Sequence, residues 1–166
     1  MTGPAVEIVA RTAGETRSVG ERLVGLLRPG DLVVLSGDLG AGKTTLTQGI
    51  GKALRVRGDV TSPTFVIARV HPSLVGRTPL VHVDAYRLGG VAELDDLDLD
   101  ASLDEAVTVV EWGSGVAEVL AEDRIEVELL RASADRVDID GETRTLRVRG
   151  VGSRWAGVDL GVLDRA

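Results

Sequence analysis

The chain has no cysteine and no asparagine, two lysines against seventeen arginines, and four aromatic side chains in 166 residues. Each shortage removes a class of function. Without cysteine there are neither disulfides nor thiolate metal sites, which fits a reducing compartment. Four scattered aromatics (Phe65, Tyr86, Trp112 and Trp155) give no material for base-stacking platforms on single-stranded nucleic acid. The formal net charge of −7 leaves no basic footprint for a nucleic-acid backbone. No apolar run reaches the roughly 18 residues of a membrane span, and the first residues do not read as a basic-then-apolar leader. The expectation is a cytoplasmic protein that does not engage a membrane.

What is present suits one globular domain over residues 1–166, with 43% hydrophobic and 27% charged residues and no repeat or long linker. "VEIVA" (6–10) reads as a short strand. In "SVGERLVGLL" (18–27) apolar residues recur at 19, 23, 26 and 27, a helical stripe, with Ser18 and Glu21 as its capping box. "RPGD" (28–31) is a turn and "LVVLS" (32–36) a continuous apolar run, the pattern of a strand buried on both faces. "TTLTQGIGKAL" follows as a helix with Leu46, Ile50 and Leu54 on one side. "TFVIARV" (64–70), "LVHVDAY" (80–86) and "VTVVEW" (107–112) read as strands, the last two separated by a helical connection around 91–105. "RIEVELL", "RVDID" and "TRTLRVR" read as an antiparallel meander with "DGE" (140–142) as a turn. The order predicts an α/β fold with a mixed, largely parallel central sheet and antiparallel C-terminal strands.

Residues 37–44, GDLGAGKT, satisfy the G-x-x-x-x-G-K-[ST] phosphate loop in its required setting, after an apolar strand and before a helix. Gly37, Gly40, Ala41 and Gly42 let successive backbone N–H groups converge on phosphate oxygens, and the helix end at Thr44 and Thr45 adds partial positive charge. Lys43 would reach the β- and γ-phosphates and the Thr44 hydroxyl a Mg²⁺ ion. A slender ammonium stem suits that place better than the planar arginine fork used almost everywhere else in the chain. GTP specificity by an Asn-Lys-x-Asp motif is excluded, because there is no asparagine. An arginine-rich lid of the small-molecule kinase type has only the sparse stretch Arg69 to Arg77. ATP and a hydrolase or switch are therefore favoured over GTP and a transferase.

Such a site needs a carboxylate for the metal shell and a group to position water. Asp84 and Glu111 both end apolar strands, where parallel sheets open onto ligands. The alternative for each acid is a turn residue at a strand end. "TSPTF" (61–65), stiffened by Pro63, places Ser62 and Thr64 where a nucleotide-ordered switch segment would lie; a plain strand entry is the other reading. His82 shares a strand face with Asp84 and reads as a buried structural histidine; with His71 the only other histidine, no zinc cluster follows. "ELDDLDLDASLDE" (93–105) carries seven carboxylates and no cation, either a solvated surface or a docking face for a basic partner.

"GDLGAGKTTL", "SPTF", "HVDAYRL" and "VEWG", in this order and spacing, closely resemble the TsaE (YjeE) family, small bacterial ATPases of tRNA threonylcarbamoyladenosine biosynthesis. The resemblance runs over about residues 13–150, taking in "GERL" and "GETRTLRV", and leaves 151–166 as an unassigned tail. It implies a phosphate-loop α/β domain that binds ATP and Mg²⁺ and hydrolyses ATP weakly alone. It further implies action on the TsaB–TsaD complex, in which TsaD transfers the threonylcarbamoyl group, so that tRNA is met indirectly through the partners.

Carried over by residue, Gly40 to Thr45 form the cradle, with Lys43 on the phosphates and Thr44 on the metal. Glu111 completes the metal shell, and Asp84 positions water or controls the switch; the two acids can exchange these roles. Ser62 and Thr64 match the switch-like segment, and Thr16 is an adenine contact. An acidic residue usual in the family near Ala13 is missing here. Two rival functions stand beside this one, a stand-alone small-molecule phosphotransferase and a nucleotide-gated interaction module.

Overall fold

The computed structural model describes residues 2–37, 40–56, 58, 60, 68–75, 78–84, 104–111, 122–131 and 141–164, with the backbone alone for residues 2, 3, 68 and 84. Its strands are β1 (Thr2–Ala10), β2 (Leu32–Gly37), β3 (Ala68–His71), β4 (Leu80–Asp84), β5 (Val107–Glu111), β6 (Arg124–Arg131) and β7 (Arg144–Val151). Helix α1 (Ala13–Val24) joins β1 to β2, and α2 (Lys43–Leu54) follows β2. The strands form one seven-stranded sheet in the order β1-β7-β6-β2-β5-β4-β3. Its centre, β6-β2-β5-β4, is parallel; β1, β7 and β3 pair antiparallel at the flanks. This is the mixed α/β architecture that the sequence order predicts.

Burial explains the arrangement. β2 and β5 have no exposed residue, as continuous apolar runs at the middle of a covered sheet require. Strands β6 and β7 alternate, turning Ile125, Val127, Leu129, Leu146 and Val148 to the core. Val19 and Leu23 of α1 and Leu46, Ile50 and Leu54 of α2 complete that cluster. Each such side chain, fully buried, contributes about 1.5–3 kcal/mol.

Several boundaries differ from the sequence expectation. The first helix begins at Ala13, well before Ser18. Its cap is Thr12, whose Oγ1 accepts from the Glu15 N–H at 3.1 Å, while the Glu15 carboxylate accepts from the Arg11 N–H. The same T-x-x-E signature was available one turn and a half upstream. Ser18 instead sits mid-helix, donating to the Gly14 carbonyl at 3.0 Å. Strand β1 also starts earlier than residue 6, its register shifting between Thr2 and Ala5 around Pro4, which an edge strand tolerates. The expected strand residues 64–67, 85, 86 and 112, "RVDID" (136–140) and the helical connection 91–103 lie outside the described residues; Asp104 and Glu105 form an exposed turn.

After β7 the chain makes two short 3₁₀ helices, Ser153–Trp155 and Leu160–Asp164. Trp155, Leu160 and Leu163 are buried in the main core cluster. Arg154 lies over the Trp155 ring, 4.1 Å from its centroid, and its Nη2 donates to Asp31 Oδ2 at 3.0 Å, tying this segment to the turn before β2.

Helices α1 and α2 cross at glycine. A Cβ on Gly49 would overlap the Arg17 carbonyl oxygen, and one on Gly20 would overlap the Leu46 carbonyl oxygen. Backbone cannot yield as a side chain can, so Gly49→Ala must push the helices apart. It is expected to lower unfolding free energy by about 1–3 kcal/mol, against the gain in helix propensity of about 1 kcal/mol that Ala would bring elsewhere. Urea denaturation measures the balance, and an unchanged midpoint would refute the close crossing.

The sheet face opposite the helices carries a charge ladder across β1, β7 and β6. Arg147 pairs with Glu7 at 3.2 Å and with Glu128 at 3.3 Å, each directly opposite in register. Glu126 binds Arg149 and, at 2.9 Å, Arg124. Burial pushes the Glu126 carboxyl up, but hydrogen bonds from Arg149 and Arg124 outweigh it and hold the group below its ordinary 4.5. A depressed carboxylate stabilises the fold above its unfolded pKa and loses that contribution as pH falls through the folded one. Glu126→Gln is therefore expected to be less stable than the parent at neutral pH, the difference shrinking as pH drops below 4.5. Denaturation midpoints across that range test the sign.

Candidate nucleotide site

The phosphate loop starts where β2 leaves the sheet. Gly37 (φ 145°), Gly40 (φ 78°) and Gly42 (φ 104°) hold positive φ, which a side chain would strain. Gly42 is the N-cap of α2, so Lys43 is its first residue and the helix N–H groups open onto the loop. Lys43 is 6% exposed, and its Nζ donates to the Gly37 carbonyl at 2.7 Å across the mouth of the loop. Ala41 is buried, and Thr44 and Thr45 are half-buried on the first turn.

Sheet register brings the acids here. Leu35 of β2 lies beside Glu111 of β5, and Glu111 lies beside Asp84 of β4, all at the carboxyl ends of parallel strands. The Thr44 hydroxyl donates to Glu111 Oε1 at 3.3 Å. Glu111 is 3% exposed. His82, fully buried, brings Nε2 to 3.1 Å from the same oxygen. The approach is close but not aligned as a hydrogen bond, for neither ring nitrogen has a hydrogen-bond partner among the described residues. A buried polar group without a partner costs about 1–3 kcal/mol, so His82 sits there at some expense to the fold. Of the expected site residues, Gly37, Gly40, Ala41, Gly42, Lys43, Thr44 and Glu111 are brought together, with the backbone of Asp84 alongside. Ser62 and Thr64 lie outside the described residues.

Beyond the loop a cavity of about 170 Å³ is lined by Ala13, Thr16, Gly40, Gly42, Thr45, Glu142 and Arg144. Thr16 is on α1 itself, because the helix starts at Ala13. Its Oγ1 is buried without a hydrogen-bond partner among the described residues. Sequence reading missed Glu142, Arg131 and Arg144. Arg131 and Arg144 face each other across β6 and β7 and reach the loop carbonyls of Gly40 and Ala41. Only the strand pairing puts them there, about a hundred residues from the loop in sequence.

The described residues hold no cluster of three or more His, Asp or Glu that would bind a metal by side chains alone. Thr44 and Glu111 nonetheless offer hard oxygen donors of the kind Mg²⁺ takes, one carboxylate and one hydroxyl, the rest of its shell coming from water and phosphate. The residues fit that ion.

The family model for "Threonylcarbamoyl adenosine biosynthesis protein TsaE" matches residues 10–139. The chain belongs to the TsaE family. A curated TsaE relative, "tRNA threonylcarbamoyladenosine biosynthesis protein TsaE" of Streptomyces coelicolor, is 62% identical over 148 residues, 89% of this chain and 98% of that protein. The protein of the same name from Mycobacterium tuberculosis is 49% identical over 140 residues, covering 80% of this chain and 83% of its own. That from Bacillus subtilis is 37% identical over 126 residues, 75% and 77% respectively. Among solved structures, "Crystal structure of Bacillus subtilus YdiB" superposes with a TM-score of 0.71 at 29% identity, covering 93% of this chain and 90% of that one. The TsaE match thus spans the loop, both strand-end acids and α1, although no helix among the described residues is long and apolar enough to cross a membrane.

Proposed function

We propose that this chain binds ATP with Mg²⁺, hydrolyses it weakly when alone, and serves as the ATPase subunit acting on a TsaB–TsaD complex in forming threonylcarbamoyladenosine in cytoplasmic tRNA. The observation that carries the reading is the Thr44–Glu111 hydrogen bond, which joins the end of the phosphate loop to the carboxyl end of β5. The names of the relatives supply the pathway.

Lys43 turns its ammonium from the Gly37 carbonyl to phosphate oxygens, where its hydrogen bonds are charge-assisted on both sides. Loop N–H groups and the α2 N-terminus add donors to the same oxygens. Thr44 and Glu111 would hold Mg²⁺, which when bound would neutralise charge on the phosphates. Asp84, next to Glu111 in register, is assigned to positioning the attacking water. That water's oxygen bonds to the γ-phosphorus as the bond from phosphorus to the bridging oxygen breaks, releasing ADP and phosphate. Adenine is assigned to the cavity beside Thr16, which Glu142 also lines. Ser62 and Thr64 are assigned to the nucleotide-ordered switch, and the acidic segment 93–105 to partner docking.

ATP turnover measured with and without purified TsaB–TsaD tests the assignment. Stimulation by the complex, with tRNA modification failing when this chain is left out, is the expected result. Phosphoryl transfer to a sugar or nucleoside, with no response to TsaB–TsaD, would overturn it.

A further inference from the structure

Arg144 opens strand β7, and its guanidinium is held by four backbone carbonyls. Nη1 donates to Gly141 at 2.8 Å and Thr143 at 2.9 Å, both in its own turn. The opposite edge reaches the phosphate loop, Nε to Ala41 at 3.0 Å and Nη2 to Gly40 at 3.1 Å. Arg131, its partner in register on β6, adds Nη2 to Gly40 at 3.3 Å. So the two carbonyls at the crest of the loop are captured from the β6–β7 side, by a fork that its own turn has already fixed in place.

The consequence follows from peptide geometry. In a trans peptide the C=O and the next N–H point in opposite directions, and none of the described peptide bonds is cis. Holding Gly40 C=O and Ala41 C=O toward the arginines turns the N–H groups of Ala41 and Gly42 away from them. Neither N–H has a protein acceptor among the described residues. These are the donors that a phosphate loop presents to its ligand. A glycine-rich loop has many conformations that would not present them, and ordering them only on binding would cost backbone entropy.

We propose that Arg144 is a positioning residue for the phosphate loop. It aims the Ala41 and Gly42 N–H groups at phosphate before nucleotide arrives, without touching phosphate itself. The inference rests on reading residues 37–45 as a nucleotide cradle, and it makes the β6–β7 hairpin the element that sets the cradle's affinity.

Arg144→Ala and Arg144→Lys in the full chain test it, with binding of ATP, inorganic tripolyphosphate and adenosine measured by calorimetry. Amide shifts of Ala41 and Gly42 in the ligand-free protein and unfolding temperatures are read alongside. Both variants are expected to weaken ATP and tripolyphosphate by about tenfold or more, to shift the two amides, and to change adenosine binding much less than tripolyphosphate binding. Lysine does not rescue, since an ammonium on a flexible stem cannot grip two carbonyls as a planar fork does. Because Lys keeps charge and stem, it carries the test where Ala lowers the unfolding temperature. Arg147→Ala, on the same strand but in the exposed ladder, should leave all three affinities intact.

Parental tripolyphosphate affinity in Arg144→Lys would mean that charge matters and not geometry, and would overturn the proposal. Loss of adenosine binding with tripolyphosphate unaffected would likewise overturn it, assigning Arg144 to the base. If the parent chain binds neither ATP nor tripolyphosphate, the cradle reading fails and the proposal with it.

Discussion

Lys43→Met is expected to weaken ATP binding about a hundredfold or more while the chain stays folded. The first half follows from the contacts the ammonium makes once it leaves Gly37. Two hydrogen bonds to charged oxygens in a partly dry site, at about 1.5–3 kcal/mol each, amount to that factor. The second half follows from burial. Lys43 is nearly covered, and in the free chain its Nζ donates to the Gly37 carbonyl at 2.7 Å, one contact among those it makes. Methionine fills much of the same space and sheds the desolvation cost of a covered charge, which offsets part of what those contacts contribute. A binding loss far larger than any change in stability separates loss of a ligand contact from loss of the fold. Calorimetric titration with ATP and a thermal melt on the same sample suffice. A variant that binds ATP as tightly as its parent would remove Lys43 from the site.

Glu111→Gln is expected to reduce hydrolysis by about a hundredfold or more, with ATP affinity in the presence of a chelator nearly unchanged. Glutamine keeps an oxygen to accept from Thr44, so the hydrogen bond at 3.3 Å need not break. What disappears is the negative charge that holds a divalent cation. The variant should therefore need much more Mg²⁺ for tight ATP binding, whereas Asp84→Asn should depress turnover without changing the Mg²⁺ requirement. This pair of profiles sorts the two acids, whose roles the sequence leaves interchangeable. If Asp84→Asn raises the Mg²⁺ requirement and Glu111→Gln does not, the roles are reversed. Turnover within a few-fold of the parent in both would remove the pair from catalysis.

Much of this site could be read without coordinates because its signals are local. The phosphate loop is contiguous, and the apolar run of β2 and the stripe of α2 define their own elements. The four motifs in order carry the family, and the family model agrees. What the chain order alone does not convey is adjacency. That Glu111 lies beside Asp84 and Leu35 follows from two parallel pairings between strands distant in sequence. Arg131 and Arg144 look like two of many surface arginines until the β6–β7 register and the β2–β6 pairing bring them to Gly40. His82 was legible as buried but not as the neighbour of Glu111. The start of α1 was misplaced for a different reason: Ser18–Glu21 and Thr12–Glu15 both satisfy the capping pattern, and only tertiary packing chooses between them.

The glycine crossing of α1 on α2 has a mechanical meaning. α1 carries Thr16 and Ala13, one wall of the cavity; α2 carries Thr45, its floor, on the same first turn as Lys43 and Thr44. With Gly20 and Gly49 seated on each other's backbones, neither helix can slide or roll without a collision of main chain. Wall and floor are in effect a single casting. A nucleotide does not widen its berth by sliding or rolling one helix over the other, so give of that kind belongs to the strand ends and the loops that leave them.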